Sequence, residues 1–285
     1  MGGHRALLFG LNYAGTACAL QGCVNDVVAV AAYLGAEGVP CDVVTDAPVA
    51  DAPDAPVADA PSSAAAAGAT REGMLARLRA LAAASWSEPL DSAFIHYSGH
   101  GTHVRDASGD EPDGEDECLV PSDYASAGYI EDDELAQIVA SFNPATRVTW
   151  VIDACHSASM LDARYAWGAP GEAPTETASA RASGRHVCLS GCADTQTSAD
   201  AFDVLSDGKA GGALTDCMLL ALRATPGLRD DAVALAAEVR RLLSERGFRQ
   251  TASLASTHDL RGDGAFYRAC DGTASGHVAT VSCPP

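Results

Sequence analysis

Lysine is almost missing from this chain. Lys209 is the only one, and 38 Asp and Glu stand against 18 Lys and Arg, for a formal charge of −20 over 285 residues. Such a balance repels phosphate backbones and anionic lipid surfaces, so neither nucleic acid nor membrane is the expected partner. No apolar run approaches the ~20 residues of a membrane-spanning helix. A signal-peptide core is missing too: the strand-like run over 6–11 is too short and stops at Asn12, and Gly2-Gly3-His4 does not open a myristoylation signal. The expected address is intracellular, in the cytoplasm. Ten cysteines are present, yet they form no C-x-x-C. Cys18, Cys23, Cys41, Cys118, Cys188, Cys192 and Cys217 mostly sit within or beside apolar runs, which fits reduced thiols better than a disulfide framework or structural zinc.

What is there reads as one α/β domain over residues 1–285. After the strand at 6–11, Val24, Val27, Val28, Ala31 and Leu34 recur at helical spacing, and Asp42 to Thr45 is a short strand. Residues 47–69 form a low-complexity Ala/Pro/Asp insert with a near-repeat, unable to bury a core. Thr70 caps a helix with Leu75, Leu78 and Leu81 inward. The remaining order is strand, acidic loop, helix over 132–141, strand, loop over 163–185, strand over 186–190, then helices over 212–223 and 229–246. This alternation predicts a mostly parallel central β-sheet flanked by helices on both faces.

Two strand ends carry the chemistry. Phe94-Ile95-His96-Tyr97-Ser98 runs into Gly99-His100-Gly101, and Val148-Thr149-Trp150-Val151-Ile152-Asp153 runs into Ala154-Cys155, 55 residues after His100. Open α/β sheets present side chains at their carboxyl edge, and a thiol needs a base or an electropositive setting to become a nucleophile near neutral pH. A lone strand-end His or Cys is usually structural; the two together point to a cysteine peptidase. Between Asp106 and Glu134 there are 12 carboxylates and no Lys or Arg. Such a run is usually a solvated face, but here Pro112, Gly109 and Gly114 break it and it follows His100, which keeps cation binding open.

These segments, together with Leu20-Gln21-Gly22-Cys23-Val24-Asn25-Asp26, Val120-Pro121-Ser122-Asp123, Ile130-Glu131-Asp132-Asp133-Glu134-Leu135, Leu189-Ser190-Gly191-Cys192 and Gly212-Ala213-Leu214-Thr215, resemble the metacaspases. That family comprises caspase-fold cysteine peptidases of clan CD. The histidine about 50 residues upstream of the cysteine also fits the caspase rule, although the caspase pentapeptide itself is replaced by Asp153-Ala154-Cys155-His156-Ser157. Ala154 and Ala158 stand where the family commonly has Ser and Gly. The few residues before the first strand look like a type I-like unit without a prodomain.

The resemblance implies Cys155 as nucleophile, His100 as its partner, and the backbone N–H groups of Gly101 and Cys155 as an oxyanion hole. It implies an S1 pocket of Cys23, Asp26, Ser98 and Asp153, whose carboxylates would bind a P1 Arg or Lys of a protein or peptide substrate. It further implies activating Ca2+ on Asp116, Asp132, Asp133 and Asp162, which do not follow EF-hand spacing. A monomer is expected, and Arg164, Arg181 and Arg185 after the nucleophile are candidate self-cleavage points. The competing expectations are a catalytically inactive caspase-fold scaffold and a calcium-binding regulator.

Overall fold

The structure is a computed structural model that describes residues 3–47, 67–88, 90–106, 114–155, 160–176, 183–192, 200–202 and 210–269. In chain order the first elements are β1 (Gly3–Gly10), α1 (Cys23–Ala36), β2 (Cys41–Thr45), α2 (Arg71–Ser87), β3 (Leu90–Ser98), β4 (Gly101–Arg105) and β5 (Glu115–Leu119). Then come α3 (Tyr124–Ala127), β6 (Ile130–Glu131), α4 (Asp132–Ser141), β7 (Arg147–Asp153), β8 (Tyr165–Ala166), β9 (Thr175–Glu176) and β10 (Arg185–Cys192). The chain continues with β11 (Asp200–Phe202), β12 (Ala210–Gly212), α5 (Ala213–Ala224), a 3-10 turn at Pro226–Asp230, α6 (Ala232–Glu245) and β13 (Thr251–Ser256). The insert expected over 47–69 falls mostly outside the described residues.

The main sheet runs β2-β1-β3-β7-β10-β13-β8-β9. Its first five strands are mutually parallel, with Ser98 level with Asp153 and Gly10 level with Ser98, while β13, β8 and β9 continue it antiparallel. The period of two along each strand sorts side chains between two cores. Ala6, Leu8, Phe94, Val151, Val187 and Leu189 pack with α1, α5 and α6. Leu7, Phe9, Ile95, Tyr97, Trp150 and Ile152 pack with α2 and α4 on the other face. Strands covered on both faces must be apolar throughout, which is why β1, β3 and β7 were readable as runs rather than alternations. Among the described residues no helix is long and apolar enough to cross a membrane.

Several elements differ from the sequence expectation. The acidic stretch after His100 is not all loop: β4, β5 and β6 pair antiparallel into a small sheet of their own. Asp116, Cys118 and Leu119 are buried there while Glu115 is exposed, a partial alternation masked by the density of carboxylates. The segment after Cys155 holds the two-residue strands β8 and β9, and β13 follows the last helix where no strand was expected. Small residues make Thr251–Ser256 too weakly patterned to stand out.

Candidate functional site

The parallel strands end on one edge, and the turns beyond them form the site. Gly99 N–H donates to the Asp153 carbonyl at 3.3 Å, and Leu11 N–H donates to the Ser98 carbonyl at 3.0 Å, so the turns after β1, β3 and β7 are laced together. A side chain on Gly101 would collide with the Cys155 carbonyl oxygen, so only glycine allows the two turns to approach this closely. The turns that carry His100 and Cys155 therefore meet at Gly101. Cys155 is buried, and it is a thiol, as are Cys18, Cys23, Cys41, Cys118, Cys188 and Cys217.

The His100 ring is oriented by groups that sequence reasoning missed. Its Nε2 lies 2.7 Å from the Cys18 carbonyl oxygen. A carbonyl only accepts, so Nε2 carries the proton and Nδ1 is the nitrogen left for chemistry in the neutral ring. Tyr13 lies over the same ring, with centroids 4.7 Å apart. Backbone carbonyls and aromatic faces leave no trace in a motif, which is why this part was invisible.

The second feature is a buried carboxylate pair. Asp26, in the first turn of α1, is 1% exposed and Asp153, closing β7, is 2% exposed. Ser98 Oγ donates to Asp26 Oδ2 at 2.5 Å, and Gly212 N–H donates to Asp26 Oδ1 at 2.7 Å. Thr215 N–H donates to Asp153 Oδ2 at 2.9 Å. A side chain on Gly212 would strike both carboxylates, so β12 closes over the pair only because it ends in glycine. Burial, then Asp153, then Asp216 push Asp26 well above the ordinary carboxylate range, against the bonds from Ser98 and Gly212. Burial raises Asp153 as well, opposed by Thr215 and Gln250. Among the described residues no Arg or Lys pairs with either. Cys23, at the start of the same helix, is also buried. Beneath them, His96 Nε2 meets Thr215 Oγ1 at 3.0 Å, and burial lowers that histidine to about 3, leaving it neutral. Gly212, Thr215, Asp216 and Gln250 were not named as site residues. The glycine doublet before a helix was their one available signal.

The acidic group is less assembled. Asp116 on β5 and Asp132 at the start of α4 are buried. With Glu131 and Glu117 they surround Cys118, whose thiol is pushed up to about 12 by burial and then by these carboxylates. Burial, then the Glu117 carboxyl, push Asp132 up to about 8. Asp133 donates its N–H to Asp132 Oδ1 at 2.8 Å, and Asp162 lies in the turn after Cys155 with a left-handed φ of 45°. Among the described residues no group of three or more His, Cys, Asp or Glu is disposed to hold a metal ion. The four aspartates expected to bind calcium are thus not gathered into one shell among the described residues. The donor chemistry still suits a hard cation: all are oxygens, and Glu117 Oε2 is buried without a hydrogen-bond partner.

Of the three candidate self-cleavage arginines, Arg164 is 55% exposed and pairs with Glu176 at 3.1 Å. Arg185 opens β10 beside Arg147 and pairs with Asp263. Arg181 lies outside the described residues.

A mostly parallel α/β sheet that sets a cysteine and a histidine on touching strand-end turns has the architecture of a caspase-like fold. The family model for the metacaspase, peptidase C14 domain matches residues 4–164. The class is therefore that of the cysteine peptidases. Relatives include Metacaspase-2 of Trypanosoma brucei brucei, 32% identical over 92% of this chain and 75% of its own length. Metacaspase-3 of Trypanosoma cruzi is 32% identical over 91% of this chain and 72% of its own. Metacaspase-1 of Mycosarcoma maydis is 32% identical over 93% and 73%. A crystal structure of a protein from Geobacter sulfurreducens shares the fold, with a TM-score of 0.58 and 24% identity over 89% of this chain and 93% of that one. The chain belongs to the metacaspase family.

Proposed function

We propose that this protein is an endopeptidase that cleaves protein or peptide substrates after Arg or Lys. Cys155 Sγ attacks the scissile carbonyl, and the N–H groups of Gly101 and Cys155 receive the developing oxyanion. His100 takes up the thiol proton and delivers it to the leaving amine. Water, deprotonated by the same imidazole, then releases the acyl group and restores the thiol. The observation that carries the specificity is the buried Asp26–Asp153 pair beside the nucleophile's strand. Two carboxylates held together without a cation are a poor arrangement by themselves and a good one for a guanidinium or ammonium group. Ser98 and Cys23 complete that pocket.

Calcium is the activating ion of this reading, with Asp116, Asp132, Asp133 and Asp162 as the residues that would hold it. When bound it would neutralise the carboxylates after His100 and order them relative to the Cys155 turn. The enzyme acts as a monomer and cleaves itself in the segment after Cys155.

The test is hydrolysis of fluorogenic peptides with Arg, Lys or Asp at P1, each with calcium and with EDTA, by the native protein and by Cys155→Ala and His100→Ala. Arg and Lys substrates should be cleaved in calcium, the Asp substrate should not, and both variants should lose activity by at least ~10³-fold. A preference for Asp sinks the specificity. An inert native protein that still binds calcium makes it a regulator or scaffold instead.

A further inference from the structure

His100 is held at its backbone and at its ring, and one residue reaches both. Tyr13 is 2% exposed, and its hydroxyl donates to the Val120 carbonyl at 2.7 Å and accepts the His100 N–H at 3.0 Å. The Tyr97 hydroxyl lies 3.0 Å from it and donates to the His100 carbonyl at 2.7 Å. Burial raises both phenols, so both remain protonated donors. The Tyr13 ring then covers the His100 imidazole at 4.7 Å with the planes 36° apart, while Cys18 O takes Nε2.

Tyr13 reaches this position through a backbone that bulky residues avoid. Its φ is 51°, in the left-handed region. Outliers of this kind persist where the surroundings over-determine them. Here Asp46 supplies the clamp: its Oδ2 accepts the Tyr13 N–H at 2.6 Å and its Oδ1 accepts the Asn12 N–H at 2.7 Å. Asn12 in turn passes the constraint to α1, accepting the Val24 N–H at 3.2 Å, two residues before Asp26.

From these contacts we infer that Tyr13, clamped by Asp46, is a positioning residue that fixes the orientation of the His100 imidazole. It rests on the reading of His100 as the partner of Cys155. The contacts of Tyr13 run to the backbone and ring of His100. It sets where the imidazole stands, and a displacement of about 1 Å at such a group costs ~100-fold in rate.

The experiment compares Tyr13→Phe, which keeps the ring and loses the hydroxyl, with Tyr13→Leu, which loses both. In hydrolysis of an Arg peptide, kcat should fall about 10-fold for Tyr13→Phe and about 100-fold for Tyr13→Leu, with KM within about 2-fold of native. Leu235→Ala, buried in the core on the opposite face of the sheet, is the control for mere destabilisation and should keep kcat below its melting point. Long-range 1H–15N spectra read the ring directly. They should show one Nε2–H tautomer for His100 in the native protein and in Tyr13→Phe, and a mixture in Tyr13→Leu. A Tyr13→Leu protein with native kcat, or with the single tautomer retained, overturns the inference. If Tyr13→Leu does not fold, Tyr13→Phe decides by its kcat alone. Cleavage that survives His100→Ala instead brings down the reading beneath it, whatever Tyr13 does.

Discussion

Asp26 and Asp153 are charged residues in a place where charge is costly, and that cost decides what their removal should do. Each lies under a roof of N–H and hydroxyl donors that favour the anion, yet burial lifts both above the ordinary range, and the Asp153 carboxylate lifts Asp26 further. Asp26→Asn and Asp153→Asn should therefore have opposite effects on the two quantities. Folding stability at pH 7 should be unchanged or higher, because a buried like charge is gone. Cleavage after Arg should fall by ~10²-fold in kcat/KM, the equivalent of one charge-assisted hydrogen bond of about 2–3 kcal/mol. Urea melts and P1-Arg kinetics on the same preparations check this; a loss of both stability and activity would mean the pair is architectural. Asp26, Ser98 and Asp153 were named through the resemblance of their segments to the family's motifs, since position at a strand end or in a first helical turn alone reads as ordinary turn or cap chemistry. Tyr13, the Cys18 carbonyl and Gln250 were not, since neutral groups brought in from distant elements carry no local signature.

Among elements, the hairpin of β4 and β5 with the start of α4 is where pH and cation should be felt. Asp132 is raised to about 8 in the folded protein, far above an unfolded aspartate. A raised acid binds more protons folded than unfolded, so its contribution to stability falls as pH rises from about 4 to about 8, by at most ~1.4 kcal/mol per pH unit. In EDTA the protein should thus lose stability between pH 5 and pH 8, more steeply than Asp132→Asn does. Millimolar calcium should restore the native protein at pH 8 and leave Asp132→Asn little changed. Denaturant midpoints at both pH values decide the matter, and parallel slopes for the two proteins would remove Asp132 from it. The same hairpin shows where sequence reading stopped. The long apolar strands and the helices α1, α2, α4, α5 and α6 were legible because burial on one or both faces demands continuous patterns, whereas the four-residue α3 buries nothing and was not. β4, β5 and β6 lie in an acid-rich stretch whose alternation is swamped by charge. β8, β9, β11 and β12 are two or three residues long, and strands that short have no period to read.

At the scale of the whole molecule, the proposed cleavage after Arg would turn the protein on any of its own arginines that lie in extended, reachable segments. Most of those described are tied down. Arg147 is buried and donates to the Ala265 carbonyl, Arg240 bonds three carbonyls, and Arg229 pairs with Glu37. Arg185 opens a strand in the middle of the sheet, hydrogen-bonded in the ladder to β7 and followed by pairing to β13. A protease needs several residues drawn out of such a ladder, which amounts to opening the central sheet. Arg164 is different: it lies outside the ladder, just before the two-residue β8 towards the sheet's far end, and its carboxylate partner Glu176 is as exposed as itself. Self-cleavage in calcium should therefore fall after Arg164 or Arg181 and spare Arg185. Mass spectrometry of the fragments after a timed calcium pulse reads the positions directly. Arg164→Gln with Arg181→Gln should leave the chain intact in calcium while still hydrolysing an added Arg peptide, because neither residue belongs to the carboxylate pocket. Primary cleavage after Arg185 would show that the sheet opens before the loop does.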